Sequence, residues 1–131
     1  MSAAIRIELF PANLAIFIDF YTRIFGFKLL KQTGNYAYVN RGGIYIGAIE
    51  TPNSDSLATK ASYRQPFKGV EIVFEVQDLV AERDRIVGLG YQLEKDIEKQ
   101  EWGLEDFRIV DPDGYYIRVT TLPKSEEVAD A

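Results

Sequence analysis

The 131-residue sequence contains no cysteine and no histidine. Without cysteine there is no disulfide, no thiolate nucleophile and no thiolate metal ligand. Without histidine, the commonest general base and the commonest metal ligand are both missing. Zinc sites usually need one of those two residues, so a bound metal would fall to carboxylates, carbonyls and water, which suit magnesium, calcium or manganese. No apolar run reaches the roughly 18 residues that a membrane helix needs. The opening "MSAAIRIELF" lacks the charged-then-apolar layout of a signal peptide, so the expected location is the cytoplasm. Positive charge is also in deficit: 15 Lys and Arg against 20 Asp and Glu give a net charge of −5. That balance argues against nucleic acid or an anionic membrane as partner, and favours a cationic or neutral small molecule.

Hydrophobic residues make up 47% of the chain and aromatics 13%, enough for one globular domain with a real core. Residues 4–10, "AIRIELF", alternate apolar with charged and read as a half-buried strand. Asn13 is placed to cap a helix in which Leu14, Phe17, Ile18, Tyr21, Ile24 and Phe25 recur at helical spacing, and Gly26 suits the position past its end. Three strand-like runs follow: "FKLLKQT", "NYAYVN" and "GIYIGAIE". The order then repeats. "GVEIVFEV" is a strand, Asp78 caps a helix carrying Leu79, Arg83, Ile86 and Val87, Gly90 closes it, and "YQLEKDI", "EDFRIVD" and "YYIRVTT" supply three more strands. Arg6 and Glu71 are 65 residues apart, as are Asn13 and Asp78, and Gly26 and Gly90 are 64 apart. The expected fold is therefore α+β: one βαβββ unit used twice, module one over 4–50 and module two over 69–121 of a single domain spanning 1–121. Between them, 51–68 is rich in Ser, Thr and Pro and reads as a mobile connection, and 122–131 reads as an acidic, frayed tail.

The last strand poses the functional question. Asp111, Pro112, Asp113 and Gly114 read as a turn, after which Tyr115, Ile117 and Val119 point one way and Tyr116, Arg118 and Thr120 the other. Alternation likewise groups Arg6 with Glu8 and Glu71 with Glu75 on an inner face, and sends Ile5, Ile7, Val70, Ile72 and Phe74 toward the helices. Arg6 and Arg118 are expected to pair there with Glu8, Glu71 or Glu75.

The doubled unit, the "FY…GF" helix end (Phe20, Tyr21, Gly26, Phe27), the "EWG" at Glu101 to Gly103 and the "DPDG" before the last strand together resemble the vicinal oxygen chelate superfamily. That family contains glyoxalase I, extradiol dioxygenases, fosfomycin resistance enzymes and bleomycin resistance proteins. The resemblance implies two sheets rolled into a cup with helices outside, and four metal-ligand positions on its inner face. Carried over, these fall on Arg6, about Gly47, Glu71 and Arg118, with Glu50 as a neighbour of the second. Only the glutamates are ligand types, and two arginines beside a divalent ion would repel it. The metal-free bleomycin resistance branch is thus the nearest match. It implies no cofactor, a homodimer, and a groove for an aromatic or cationic, antibiotic-like molecule bound without chemistry.

On this reading the ligand-binding candidates are Arg6, Glu8, Tyr45, Glu71, Glu75, Trp102, Tyr116 and Arg118. Tyr38 and Tyr45 also read as core or interface positions, and Trp102 as packing for its loop or for the dimer seam. The second reading is an enzyme of the glyoxalase or lyase type, with Glu71 as base and Arg6 or Arg118 as oxyanion partner, or a metal-dependent dioxygenase or isomerase if manganese or magnesium is bound. The acidic stretch Glu94, Asp96, Glu98 and Glu101 reads as a solvated edge.

Overall fold

The computed structural model describes residues 2–52, 55–66, 68–101 and 103–122. These divide between Lys60 and Ala61 into two compact units.

In the first unit, β1 (Ile7–Leu9) leads into α1 (Leu14–Asp19), which runs on as a π-helical segment over Phe20–Ile24. Then come β2 (Lys28–Thr33), β3 (Tyr36–Arg41) and β4 (Ile44–Ile49), in a sheet of order β1-β4-β3-β2. β1 runs parallel to β4, and the other pairs are antiparallel. The Asn13 side chain accepts from the Ile16 N–H at 3.0 Å, so the cap is where the sequence puts it. The π-helical segment was not expected. Its i→i−5 bond from Phe25 N–H to the Phe20 carbonyl, at 2.9 Å, inserts an extra residue, which turns Phe20, Tyr21, Ile24 and Phe25 all inward. Tyr21 meets Phe17, Phe20, Phe25 and Phe27 at centroid distances of 4.6 to 6.2 Å, an aromatic cluster beneath the sheet.

The second unit repeats the plan with β5 (Ile72–Val76), α3 (Leu79–Gly88), β6 (Lys95–Lys99), β7 (Glu105–Val110) and β8 (Tyr116–Thr121), in the order β5-β8-β7-β6. Asp78 accepts from the Ala81 N–H at 3.0 Å and caps α3. Phe74, Ile86, Phe107, Ile109, Ile117 and Val119 form the core on the helix side. In the "DPDG" turn the buried Asp111 carboxylate accepts from the backbone N–H groups of Asp113 and Tyr115, each at 2.9 Å, and Gly114 takes φ 87°. Neither sheet closes on itself among the described residues. No helix there is long and apolar enough to cross a membrane.

Four expectations are corrected. The strands expected from Ala4 and Gly69 start three residues late, at Ile7 and Ile72, so the Arg6 and Glu71 side chains both precede their strands. Ile5 and Val70, expected against the helices, are 88% and 89% exposed, because alternation has no meaning before the ladder begins. The sixth expected strand begins at Lys95 rather than Tyr91, whose hydroxyl donates to the Val110 carbonyl at 2.5 Å. The connection is not structureless: it holds α2 (Leu57–Tyr63), with Ser56 Oγ accepting from the Thr59 N–H at 3.1 Å. Beyond it, within the second unit, Arg64 donates to the Asp113 carbonyl at 2.5 Å and lies 3.7 Å over the Tyr115 ring, which fastens Arg64 to the "DPDG" turn. The expected tail lies outside the described residues except for Leu122.

Candidate functional site

The predicted residues gather into two groups, one on the sheet of each unit. In the first, register puts Glu8, Gly47 and Tyr38 in one row across β1, β4 and β3. Tyr36 and Tyr45 occupy neighbouring rows of the same face. The three tyrosines stack nearly parallel, Tyr36 on Tyr38 at 6.5 Å and Tyr38 on Tyr45 at 6.0 Å. The Arg6 guanidinium sits 5.6 Å from the Tyr38 ring centre and 3.5 Å from Glu8 Oε1. Ala4, Ile5, Arg6, Tyr38 and Tyr45 line a cavity of about 410 Å³, within the usual range for small-molecule pockets. The other Glu8 oxygen, Oε2, is buried without a hydrogen-bond partner. It rests on Gly47: a Cβ at that residue would lie 1.8 Å from Oε2 and 3.1 Å from the Tyr36 hydroxyl. Glycine at 47 is therefore what allows Glu8 its place.

In the second unit, Glu71 reaches Arg118 at 3.1 Å and Arg108 at 3.8 Å, using one oxygen for each. Arg108 stands directly opposite Arg118 in the β7–β8 register and turns to Asp106 at 3.4 and 3.5 Å. Gln100 donates to the same Asp106 carboxylate at 3.0 Å. Tyr116 lies beside Arg108, with 5.9 Å from guanidinium to ring centre. Burial pushes the Tyr116 hydroxyl above its ordinary range, while the Arg108 charge pulls the other way. Glu75 shares this face by alternation and is exposed. Trp102 lies outside the described residues.

The expected pairing of Arg6 with Glu8 and of Arg118 with Glu71 is present. Glu50 serves a helix end instead, its Oε2 accepting from the Leu14 N–H at 2.8 Å at the start of α1. Sequence reasoning missed Arg108 and Asp106, although the alternation of "EDFRIV" already sets both on the Arg118 side of the sheet.

Taken one by one, the four family metal positions do not fit a divalent cation. Arg6 and Arg118 bring positive charge, Gly47 brings no donor, and each Glu71 oxygen faces a guanidinium. Among the described residues there is no group of three or more His, Cys, Asp or Glu able to hold a metal ion.

A twice-used βαβββ unit with a parallel outer pair defines a recognisable class of α+β protein. The chain belongs to the Glyoxalase/Bleomycin resistance protein/Dioxygenase superfamily, whose model matches residues 4–119. Similar solved structures include a bleomycin resistance determinant encoded on the transposon Tn5, 20% identical, covering 94% of this chain and 100% of that one with a TM-score of 0.75. A bleomycin-binding protein complexed with bleomycin is 21% identical, with 93% and 100% covered and a TM-score of 0.73. Lactoylglutathione lyase from Agrobacterium tumefaciens is 20% identical, with 92% and 94% covered and a TM-score of 0.65. At these identities the likeness is one of fold, and binding and catalytic proteins both have it.

Proposed function

We propose that this chain is a metal-free binding protein for a small, flat, aromatic cation, working as a cytoplasmic homodimer and catalysing no reaction. The observation that carries this reading is the tyrosine stack, Tyr36, Tyr38 and Tyr45, beside the cavity of the first unit. Electron-rich faces attract flat cations, and the chain's net charge of −5 adds a long-range pull of the same sign. The ion pairs at Arg6 and Arg118 support a site without metal, because fixed positive charges stand where a divalent ion would be repelled. Glu71, with both oxygens facing guanidiniums, is badly placed to take a proton from a substrate. A similar fold complexed with bleomycin makes that molecule a sensible first probe. Apolar residues left in solvent, Ile5 and Val70 above all, support a second copy as partner.

Calorimetric titration of the full chain with bleomycin and a panel of aromatic amines, with chelator and again with manganese or magnesium, tests the reading. Binding that is unchanged by metal, with the ligand recovered intact, is expected. Binding that requires metal, conversion of the ligand, or no binding across the panel would overturn it. Light scattering in the same buffer is expected to give the mass of a dimer, and a monomer mass would remove that part.

A further inference from the structure

Resting on the reading above, we propose that Arg6 is an internal cation, holding in the free protein the subsite meant for the ligand's own cationic group. The subsite is built from the Tyr38 face and the Glu8 carboxylate, and Arg6 touches both, at 5.6 Å from the ring centre and 3.5 Å from Oε1. An aromatic ring and a carboxylate together are what an amine on a flat ligand would seek, so Arg6 mimics such a ligand.

Three features make it a displaceable mimic. The Arg6 side chain is 52% exposed, and an ion pair so exposed contributes little. Its backbone precedes the first laddered residue, Ile7, so no strand pairing at Arg6 itself holds it in place. And it stands against only one Glu8 oxygen: Oε2 stays buried on Gly47 with no donor. A buried carboxylate oxygen without a donor costs free energy that a better donor recovers. A protonated amine with several N–H groups, entering beside Tyr38 and Tyr45, can take the Arg6 place and draw the carboxylate off Gly47 to use both oxygens. The ligand class is therefore an aromatic molecule with a primary or secondary ammonium, and the free protein meets it with the subsite already charged and shaped.

The inference predicts the opposite sign from an ordinary binding residue. Calorimetry would use the full chain with two probes of the same ring and opposite charge, tryptamine and indole-3-propionate. If Arg6 fills the subsite about nine-tenths of the time, Arg6→Gln tightens tryptamine binding about tenfold, since the apparent affinity scales with the competent fraction. Adding Glu8→Gln to that variant is expected to abolish the gain, with indole-3-propionate little changed throughout. Circular dichroism checks that each variant is folded. Tryptamine binding that is unchanged or weakened in Arg6→Gln would overturn the proposal while leaving the binding function standing. So would a large loss of indole-3-propionate binding, which would make Arg6 an anion clamp. Failure of both probes to bind wild type and Arg6→Gln alike would overturn this proposal, and with a null result for bleomycin the function as well.

Discussion

The Glu71–Arg118 pair gives the sharpest test of how the second unit's polar face is held. The two groups are 3.1 Å apart, and each side chain keeps about a quarter of its exposure. The Coulomb attraction at that distance is about 5 kcal/mol at an effective dielectric of about 20 and about 1 kcal/mol in water. Desolvation of both charges offsets most of the larger figure. A coupling energy of about 1 kcal/mol is therefore expected, near the top of the range for exposed pairs. Glu71→Gln alone is expected to cost about 2 kcal/mol, because it also leaves Arg118 and Arg108 directly opposite one another with no carboxylate between them. In Arg118→Gln that repulsion is absent, so adding Glu71→Gln should cost much less there. Urea unfolding of wild type, both single variants and the double variant closes the cycle. Additivity within about 0.3 kcal/mol would refute the reasoning, as would a Glu71→Gln variant more stable than wild type.

Tyr91, half-buried and near the Asp111 charge, has its hydroxyl pushed up to about 12 by desolvation first and that charge second. Unfolded tyrosine titrates near 10, so the unfolded chain loses this proton first and stability falls as pH rises from about 10 to about 12. Tyrosinate absorbance is expected to show a late-titrating hydroxyl that Tyr91→Phe removes. Asn13→Ala removes the cap on α1, and unfolding curves should show a loss of about 1 kcal/mol, while Asn13→Asp should be nearly neutral. Arg64→Ala removes both the bond to the Asp113 carbonyl and the contact with the Tyr115 ring. Limited proteolysis is expected to cut residues 61–66 faster in that variant, and an unchanged rate would mean that Arg64 does not fasten the segment.

Most of the architecture is legible because it is written in local chemistry. The caps at Asn13 and Asp78, the "DPDG" turn and the period-2 alternation of β8 need only near neighbours to be satisfied, so the sequence alone places them. The internal repeat implies that both units follow one plan, since a unit used twice has to bury the same faces twice, while the strand order itself came from the structure. Where the reading failed, the deciding partner was distant. Ile5 and Val70 fit the strand pattern, but the ladder starts after them. α2 is seven residues long with no apolar stripe, and its neighbour Arg64 gains its bond and ring 49 and 51 residues further on.

The candidate site divides in the same way. Alternation alone put Arg118 on the polar face and led to the expected ion pairs, since which side of a strand a residue takes follows from its parity. Parity carries no information on which charges meet. That Glu71 is shared by Arg118 and Arg108, that Glu50 serves a helix end instead of the site, and that Glu8 settles on Gly47 were decided by register between strands and by the space one missing side chain leaves. Side-chain chemistry and periodicity reside in the sequence, whereas distances between residues far apart in the chain exist only once the sheets have formed.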